Sequence, residues 1–247
     1  MLKKILILSG FFLLIGCDND SSKSGGDSKE LPNDVTSALS ASKSTLSQDL
    51  KDSITYMYSE EGLAYDVYTN IYKIQAVNQL TNIANNAEIK HQDAVNKLAI
   101  KYDLNITKWP DTTKPYSTDD LKRYGNGLYP VDPIQDLYNY LYDEGIQSKQ
   151  KALEVGCMVE VVDVEDLLKY MKFAKASNAT DVEEVFDFLL KGSYNHYWAF
   201  DKGLKNIGVE KGCCAVNDYA GINFCHPEYP NEEKGQEKDG GKGKGKK

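Results

Sequence analysis

The sequence has few basic residues, no glycine-rich nucleotide loop and no apolar run long enough to cross a bilayer. Its 29 Lys and Arg are outnumbered by 37 Asp and Glu, and this argues against nucleic acid as a partner, which requires clustered positive surface. The longest apolar run, from Ile5 to Ile15, is shorter than the about 20 residues of a membrane-spanning helix. No phosphate-binding loop is present, so we expect no nucleotide cofactor. A nucleophilic triad is also absent.

Proline and glycine are scarce between Ser53 and Tyr102, and this scarcity indicates long helices. Apolar residues recur there at the helical period, and no segment shows sustained period-two alternation bounded by hairpin turns. We therefore predict an all-α domain with main helices over about 53–75, 77–103, 148–174 and 180–207, and a shorter helix near 133–144. The connection from Asp103 to Pro130, which contains Pro110 and Pro115, is predicted to cross from one end of a helix bundle to the other.

The N-terminus has the layout of a secretory signal. Lys3 and Lys4 precede the apolar run, and the sequence from Leu14 to Cys17 closes it. This order resembles the signal peptide and lipobox of bacterial lipoproteins, in which the cysteine is lipidated and becomes the first residue of the mature chain. The resemblance implies a membrane-anchored lipoprotein of the cell envelope that faces the periplasm or the cell exterior. An ordinary cleaved signal and an uncleaved anchor are the alternatives.

Composition divides the rest of the chain into three parts. After the signal peptide (residues 1–16), residues 17–34 are rich in Ser, Gly, Asp and Lys and are predicted to be a flexible tether. Residues 229–247 end in a Lys/Gly-rich sequence and are predicted to be a disordered tail. Residues 35–228 remain, and they are long enough for one domain with a sizeable core.

The second main helix carries two ionisable residues on its apolar stripe. Glu88 and His91 fall in the middle of the face that runs from Val77 to Tyr102. A buried carboxylate is costly unless it is paired or bound to a metal. Glu-x-x-His is also the spacing with which one helix offers an oxygen and a nitrogen to a di-metal centre in a helix bundle.

The other three main helices also place metal-competent groups on their buried faces. Glu61 lies within the stripe of the first helix, whereas Glu60 is about 100° away around the helix and is expected at the edge. Glu160 lies on the stripe of the third helix with Asp163 one turn further, and His196 is central on the fourth. Three other acids of the third helix are expected on its solvated surface: Glu154, Glu165 and Asp166.

The three core glutamates lack an evident cationic partner. No Lys or Arg lies on the stripes beside Glu61, Glu88 and Glu160. A divalent cation supplies the missing charge directly, so we predict metal binding. The alternative is a neutral, hydrogen-bonded cluster in which the pKa values of the carboxyl groups are raised.

Four segments in unbroken order look like the successive motifs of a ferritin-like family known as a domain of unknown function: Glu60–Tyr68, Asn82–Val95, Ala152–Leu167 and Gly192–Phe200. The resemblance implies a ferritin-like four-helix bundle, here with a short extra helix and a long crossover connection, around a carboxylate-bridged di-iron or di-manganese centre. The metal ligands that it implies are Glu61, Glu88, His91, Glu160 and His196, with Asp163 as a further candidate.

The fourth helix departs from the pattern of di-iron ferritin-like enzymes, which generally repeat Glu-x-x-His there. Ser193 occupies the position three before His196. Asp163 is the candidate replacement for the missing carboxylate. Without it, the centre would be under-coordinated or mononuclear.

The cysteines predict a disulfide. With Cys17 lipidated, the other four lie on the oxidising side of the membrane, where disulfides persist. Cys157 lies in a helix core and is expected to stay a buried thiol, whereas Cys225 is expected to pair with Cys213 or Cys214. A zinc or copper site built from Cys213, Cys214, Cys225 and His226 is the alternative, although adjacent cysteines form a poor chelate.

Two functions of different classes follow from these patterns. In the first, an envelope-anchored metalloprotein acts on a small redox species such as Fe(II), dioxygen or peroxide, as an oxidase, ferroxidase or peroxide-handling oxidoreductase. In the second, a non-catalytic binding or interaction lipoprotein retains the bundle. It contacts a partner through its acidic surface or its cysteine-bearing segment.

Overall fold

A computed structural model of the chain describes residues 30–106 and 125–231. Within these ranges the regular structure is helical apart from an isolated bridge between Tyr219 and Ile222, so the all-α prediction is confirmed. The helices are α1 (Asn33–Ser40), α2 (Gln48–Gln75), α3 (Asn78–Ile83), α4 (Ile89–Lys101), α5 (Asp132–Gly145), α6 (Lys149–Ala176) and α7 (Thr180–Asn206), followed by a 3-10 turn at Gly212–Ala215.

Local sequence signals mark where the long helices begin and end. The hydroxyls of Ser47 and Ser148 accept hydrogen bonds from the backbone N–H groups three residues further on, and so cap α2 and α6. Ala76 ends α2 in the left-handed conformation with φ of 43°. This residue lets the chain reverse and enter α3 after two residues.

The long helices form two hairpins that pack against each other. Within one hairpin, Gly156 of α6 lies against the ring of Phe200 of α7, and Leu153 lies against Gly203, so α6 and α7 run antiparallel. Tyr68 of α2 contacts Phe200 with 5.3 Å between the ring centroids, which joins the two hairpins. Fully burying a large apolar side chain of this kind contributes roughly 1.5–3 kcal/mol. The shared core therefore holds the long helices at fixed separations.

The helix from Asn78 to Lys101 contains one π-helical turn. α3 ends at Ile83, the π turn spans Ala84–Glu88, and α4 begins at Ile89. The N–H of Ile89 donates to the carbonyl of Ala84, five residues earlier, which is the π-helical pattern. Such turns are rare and frequently occur at functional sites. Here the turn positions Glu88, its last residue.

A buried ion pair fixes one end of the molecule. Lys101 at the end of α4 donates to Asp181 at the start of α7 over 2.6 Å, and the hydroxyl of Ser44 donates to the same carboxylate over 2.7 Å. Tyr102 also donates to Asp181. Because both charged side chains are largely buried, removing one would leave the other uncompensated.

Two disulfides link the segment after α7 to the helices and to itself. Cys157 of α6 is bonded to Cys213, and Cys214 is bonded to Cys225. The prediction that Cys157 stays a thiol is therefore wrong, because the 3-10 turn folds back over α6 and brings Cys213 to it. Of the two partners expected for Cys225, the structure has Cys214.

These disulfides contradict the alternative zinc or copper site. All three cysteines of that site are disulfide-bonded and have no thiolate to offer. The ring of His226 instead lies 2.8 Å from Oε1 of Glu228 and 2.7 Å from the carbonyl of Asn223. Both ring nitrogens thus have partners.

Described residues at both ends of the predicted domain, residues 35–228, take part in helix formation or side-chain contacts. α1 begins at Asn33, before the predicted start of the domain at residue 35, and buries Val35. At the other end, Trp198 donates to the carbonyl of Pro230. The signal peptide, Cys17, most of the expected tether, Pro110, Pro115 and the tail from residue 232 lie outside the described residues. In the part of the chain that the structure describes, every helix is too short or too polar to cross a membrane.

Candidate metal centre

The hairpin formed by α2 and the helix from Asn78 to Lys101 brings together Glu61, Glu88 and His91. Nδ1 of His91 lies 3.2 Å from Oε2 of Glu61 and 3.2 Å from Oε2 of Glu88. One ligand atom from each residue lies within 4.8 Å of the others, and all three side chains are buried. The Glu-x-x-His pair of one helix and the glutamate of its neighbour thus form one compact group.

A second group is built from Glu88, Glu160 and His196. Nδ1 of His196 lies 3.0 Å from Oε1 of Glu88 and 3.4 Å from Oε2 of Glu160. These ligand atoms also lie within 4.8 Å of one another. The two groups share Glu88, whose two oxygens face different histidines, and the histidine rings stack with centroids 5.4 Å apart.

Several atoms of the cluster have no hydrogen-bond partner. Oε1 of Glu61 and Oδ1 of Asp163 are buried and have no hydrogen-bond partner. Oε1 of Glu88 and Nδ1 of His196 lie 3.0 Å apart but do not form a hydrogen bond. An unsatisfied buried polar group costs about 1–3 kcal/mol. Within the described ranges, no Lys or Arg forms an ion pair with the cluster, as the sequence stripes predicted. The buried cluster therefore has more hydrogen-bond acceptors than donors.

Burial and mutual repulsion shift the protonation of the cluster. Burial, then the charges of Glu88 and Glu160, raise the pKa of Glu61 well above its usual value. Burial and the charge of Glu61 do the same to the pKa of Asp163. Burial alone would lower the pKa of His196, but the charges of Glu160 and Glu88 raise it to about 10. The pKa of Glu88 shifts in the opposite direction. Burial would raise it, but the neighbouring histidines outweigh burial and lower it.

Asp163 faces the position where the fourth helix lacks a carboxylate. Its Oδ2 accepts a hydrogen bond from the hydroxyl of Ser193, while its Oδ1 is free of partners. The same hydroxyl oxygen lies 3.0 Å from the carbonyl oxygen of Leu189 one turn earlier, so the serine side chain is held against α7. The side chain of Asp163 therefore occupies the side of the cluster that a glutamate at residue 193 would reach.

Tyr68 orients Glu160. Its buried hydroxyl donates to Oε1 of Glu160. Burial and then the charge of Glu160 raise the pKa of Tyr68 well above its usual value, so the phenol keeps its proton. With Oε1 engaged, Oε2 is the oxygen that faces His196.

Gly192 makes room for His91, and Gly192→Ala is expected to weaken metal binding by about 10–100-fold. A Cβ at residue 192 would lie 2.3 Å from Nε2 of His91, so the ring would have to move. Phe188 packs edge-on against the ring at 5.2 Å between centroids and restricts that movement. Calorimetric titration of the metal-free protein with Mn(II) measures the loss.

A control for this variant lies on the same helix. Gly203→Ala makes the same change, but the atoms nearest to its Cβ would be the ends of two flexible side chains, those of Leu153 and Gln79. It should bind metal like the wild type. Equal affinity of the Gly192→Ala variant and the wild type would show that the position of His91 does not matter.

Three acids on α2 and α6 differ from the sequence expectation. Glu60, expected at the edge of the stripe, is only 2% exposed. Asp166, expected on the solvated surface, is half-buried with a side chain 23% exposed. Glu154 is also buried and pairs with Lys151 at 3.1 Å. Glu165 is exposed as predicted.

A cavity of about 300 Å³ lies on another face of α2. It is lined by Tyr58, Tyr65, Asp66, Gln92 and Tyr129 among others. Asp66 accepts hydrogen bonds from the hydroxyl of Tyr129 at 2.7 Å and from the N–H of Gly127 at 3.0 Å. Sequence patterns gave no sign of it, because the segment before α5 closes it by tertiary packing.

The chain is similar to known proteins over most of this helical region. A family model described as "Uncharacterized protein domain (DUF2202)" matches residues 50–218. The uncharacterized protein MJ0754 of Methanocaldococcus jannaschii is 34% identical over 166 residues, which are 67% of this chain and 80% of that protein. The crystal structure of the hypothetical protein MJ0754 from Methanococcus jannaschii aligns with a TM-score of 0.58 and 30% identity, covering 78% of this chain and 93% of the other.

The matched residues include all six candidate ligands, from Glu61 to His196. They also include Cys157, Cys213 and Cys214, but not Cys225. The chain belongs to the family of uncharacterized protein domains DUF2202.

Proposed function

We propose that this chain is a ferritin-like metalloprotein with a di-iron or di-manganese centre that acts on a small redox species such as Fe(II), dioxygen or peroxide. In this proposal α2, the helix from α3 to α4, α6 and α7 form a ferritin-like four-helix bundle. The observation that carries the proposal is that two carboxylate–histidine groups converge in the core and share Glu88. A shared carboxylate is what two neighbouring metal ions require.

Charge balance favours two divalent ions over one. The cluster contains four carboxylates, those of Glu61, Glu88, Glu160 and Asp163, together with two histidines. Ionised carboxylates and neutral imidazoles would carry four negative charges, which two divalent cations neutralise. One cation would leave uncompensated charge in a buried site, which is costly.

The donor atoms fit such ions. Mixed carboxylate and imidazole donors suit manganese and iron, whereas thiolates, which this site lacks, suit softer metals. Ligand atoms about 2.1 Å from a common ion, at tetrahedral to octahedral angles, lie roughly 3.0–3.4 Å apart. The contacts of the histidines with the glutamates span 3.0–3.4 Å. The unpaired atoms supply the lone pairs.

The roles of the side chains follow from their contacts. Bound redox metal ions would supply electron transfer to or from the small substrate. Glu88 would bridge, with one oxygen toward each histidine. Tyr68 holds Glu160, and Ser193 holds Asp163, so that one oxygen of each remains directed at the centre. Burial of the ligands excludes bulk water and strengthens every electrostatic interaction in the site.

Metal analysis tests the proposal. Protein isolated without chelators and reloaded anaerobically with Fe(II) should contain about two ions per chain, as expected for a bridged carboxylate centre. The loaded protein should turn over dioxygen or peroxide, and Glu160→Ala should lose both metal and turnover. Binding of no transition metal by the wild type would sink the proposal.

We also propose that the chain is a lipoprotein held in the cell envelope through a lipid on Cys17, on the basis of the sequence from Leu14 to Cys17. Cys17→Ser should leave an unprocessed precursor that incorporates no labelled fatty acid. Wild-type labelling of that variant would refute the assignment.

The second candidate function is non-catalytic binding of a small molecule. The tyrosine-lined cavity of about 300 Å³ favours it, since a cavity of this size with a few polar groups is typical of ligand sites. The buried carboxylate of Asp66 beside it would suit a ligand with hydrogen-bond donors or positive charge. A protein that binds no metal but retains small amines or phenols would support this function.

A further inference from the structure

Glu60 is a buried carboxylate that the proposed centre does not use. It directly precedes Glu61, and neither of its carboxylate oxygens has a hydrogen-bond partner among the described residues. A group in this state lowers stability in the absence of a ligand, because water has been removed and nothing replaces it. The carboxyl group of Glu60 is only 2% exposed and lacks a hydrogen-bond partner, so we expect a cation to bind beside it or to pass it.

The neighbours of Glu60 form a row of acids across α6. Asp163 and Asp166 are three residues apart and so share a helix face. Burial, followed by the charges of Asp166, Asp163 and Glu61 in that order, raises the pKa of Glu60 well above its usual value. Helix packing gives the same placement. Tyr56 of α2 packs against Tyr170 of α6, and Tyr68 donates to Glu160, so the two helices run antiparallel and Glu60 lies opposite the turn that carries Asp163 and Asp166. Lys169 acts on Glu60 most weakly and lies 3.9 Å from Asp166, with an exposed side chain.

The row runs from solvent to the centre. The side chain of Asp166 is 23% exposed, whereas Glu60 and Asp163 are almost fully buried. Tyr56 and Tyr170 flank the row, with 6.1 Å between their ring centroids. Burial and nearby acids raise the pKa values of both phenols, which remain neutral and add no charge to the row.

The acids of the row do not form a closed metal site. In the described part of the chain, the groups whose ligand atoms all lie within 4.8 Å of one another do not include Glu60. Successive carboxylates at wider spacing suit an ion that exchanges one oxygen ligand for the next. Divalent cations that accept oxygen ligands, such as Fe(II) and Mn(II), have this chemistry.

We propose that Asp166, Glu60 and Asp163 form a path along which divalent cations pass from solvent, between α2 and α6, to the Glu61 side of the metal centre. The inference rests on the proposed function and adds the route of uptake. Asp166 attracts the ion at the surface, Glu60 receives it in the interior, and Asp163 delivers it to the shared site.

Loading kinetics test the path. Metal-free protein is mixed anaerobically with Co(II), whose visible absorption reports inner-sphere binding, and the reaction is followed by stopped flow. Glu60→Gln keeps the shape but removes the carboxyl group that an arriving cation would ionise and bind, so it should slow loading by about 10-fold or more, in line with the effect of local charge on association rates. The final stoichiometry should equal that of the wild type. Asp166→Asn should slow loading in the same direction.

The control is Glu165→Gln, which makes the same charge change at an exposed position beside Asp166. It should load at the wild-type rate. Loading of Glu60→Gln at the wild-type rate would overturn the path. A lower final metal content in this variant would also overturn it, because Glu60 would then be a ligand of the centre. Circular dichroism checks folding, and Asp166→Asn tests the path separately because its half-buried side chain is less critical to packing.

The result also separates the two proposals. If Glu60→Gln loads metal at the wild-type rate and to the wild-type content, the path is refuted and the proposed centre is not. A wild-type protein that binds no metal at equilibrium refutes the proposed centre and the path with it.

Discussion

Glu88→Gln is expected to abolish binding of both metal ions, whereas Asp163→Asn should remove only one. Glu88 belongs to both carboxylate–histidine groups, so its loss removes a ligand from each. Changes to residues that merely support a ligand cost about 10–100-fold in metal affinity, and loss of a shared ligand should cost more. Asp163 contacts the cluster from the side of Ser193 and belongs to neither group. Elemental analysis after anaerobic reloading measures both occupancies.

The control for these variants is Glu165→Gln on the exposed face of α6, which should keep about two ions per chain, as a bridged centre requires. Retention of one ion in Glu88→Gln would show that the two groups do not share a ligand. Loss of both ions in Asp163→Asn would make that residue as important as Glu88. Either outcome would require a different assignment of the ligands.

Much of the site follows from helical periodicity. Glu61, Glu160 and His196 lie at the centre of apolar stripes, and the structure buries them together for that reason. Stripes work well here because each long helix contributes one face to a common core. The bundle geometry and the metal remain proposals, since periodicity gives the burial of a residue but not the ion that it binds.

Helical periodicity does not predict the burial of a residue that lies at the edge of one apolar stripe and is covered by a second helix. Glu60 lies about 100° from Glu61 around α2, and a single stripe places it at the margin. In the fold, α6 covers that margin with Asp163, Asp166 and Tyr170, so Glu60 is buried by a second contact surface. The π turn at Ala84–Glu88 was equally invisible, because no residue type marks it.

The disulfides could not be assigned from spacing. Cys157 and Cys213 are separated by 56 residues, and only the return of the chain after α7 brings them together. Cys214 and Cys225 are 11 residues apart, within one segment, and were therefore accessible to sequence reasoning as one of two alternatives. Pairing between distant cysteines depends on tertiary structure, which no local pattern contains.

The metal-free protein is expected to lose stability as pH rises from about 5 to 8, the interval above the usual carboxyl pKa. Glu60, Glu61 and Asp163 have folded pKa values above their unfolded values. Their stabilising contribution is complete below the unfolded pKa and is lost as pH rises through the folded one. His196 has the same sign, since its pKa is raised to about 10. Glu88, with a lowered pKa, contributes only above its usual pKa and opposes the trend at acidic pH.

The size of this effect follows from linkage. Each proton released on unfolding lowers the free energy of unfolding by about 1.4 kcal/mol per pH unit. Three such carboxyl groups acting together would remove several kcal/mol, against a total of about 5–15 kcal/mol for a typical domain. Metal binding should remove this dependence, because the ions displace protons from the ligands and bind more tightly as pH rises.

Urea unfolding at pH 5, 6, 7 and 8, with and without saturating Mn(II), measures the two curves. The free energy of unfolding should fall with pH in the metal-free protein and should hold or rise in the loaded one. Glu61→Gln cannot titrate at residue 61, so it should flatten the metal-free curve. A metal-free protein whose stability is constant or increases over this range would show that its buried carboxyl groups are already ionised. The cluster would then have to be held together by contacts other than shared protons.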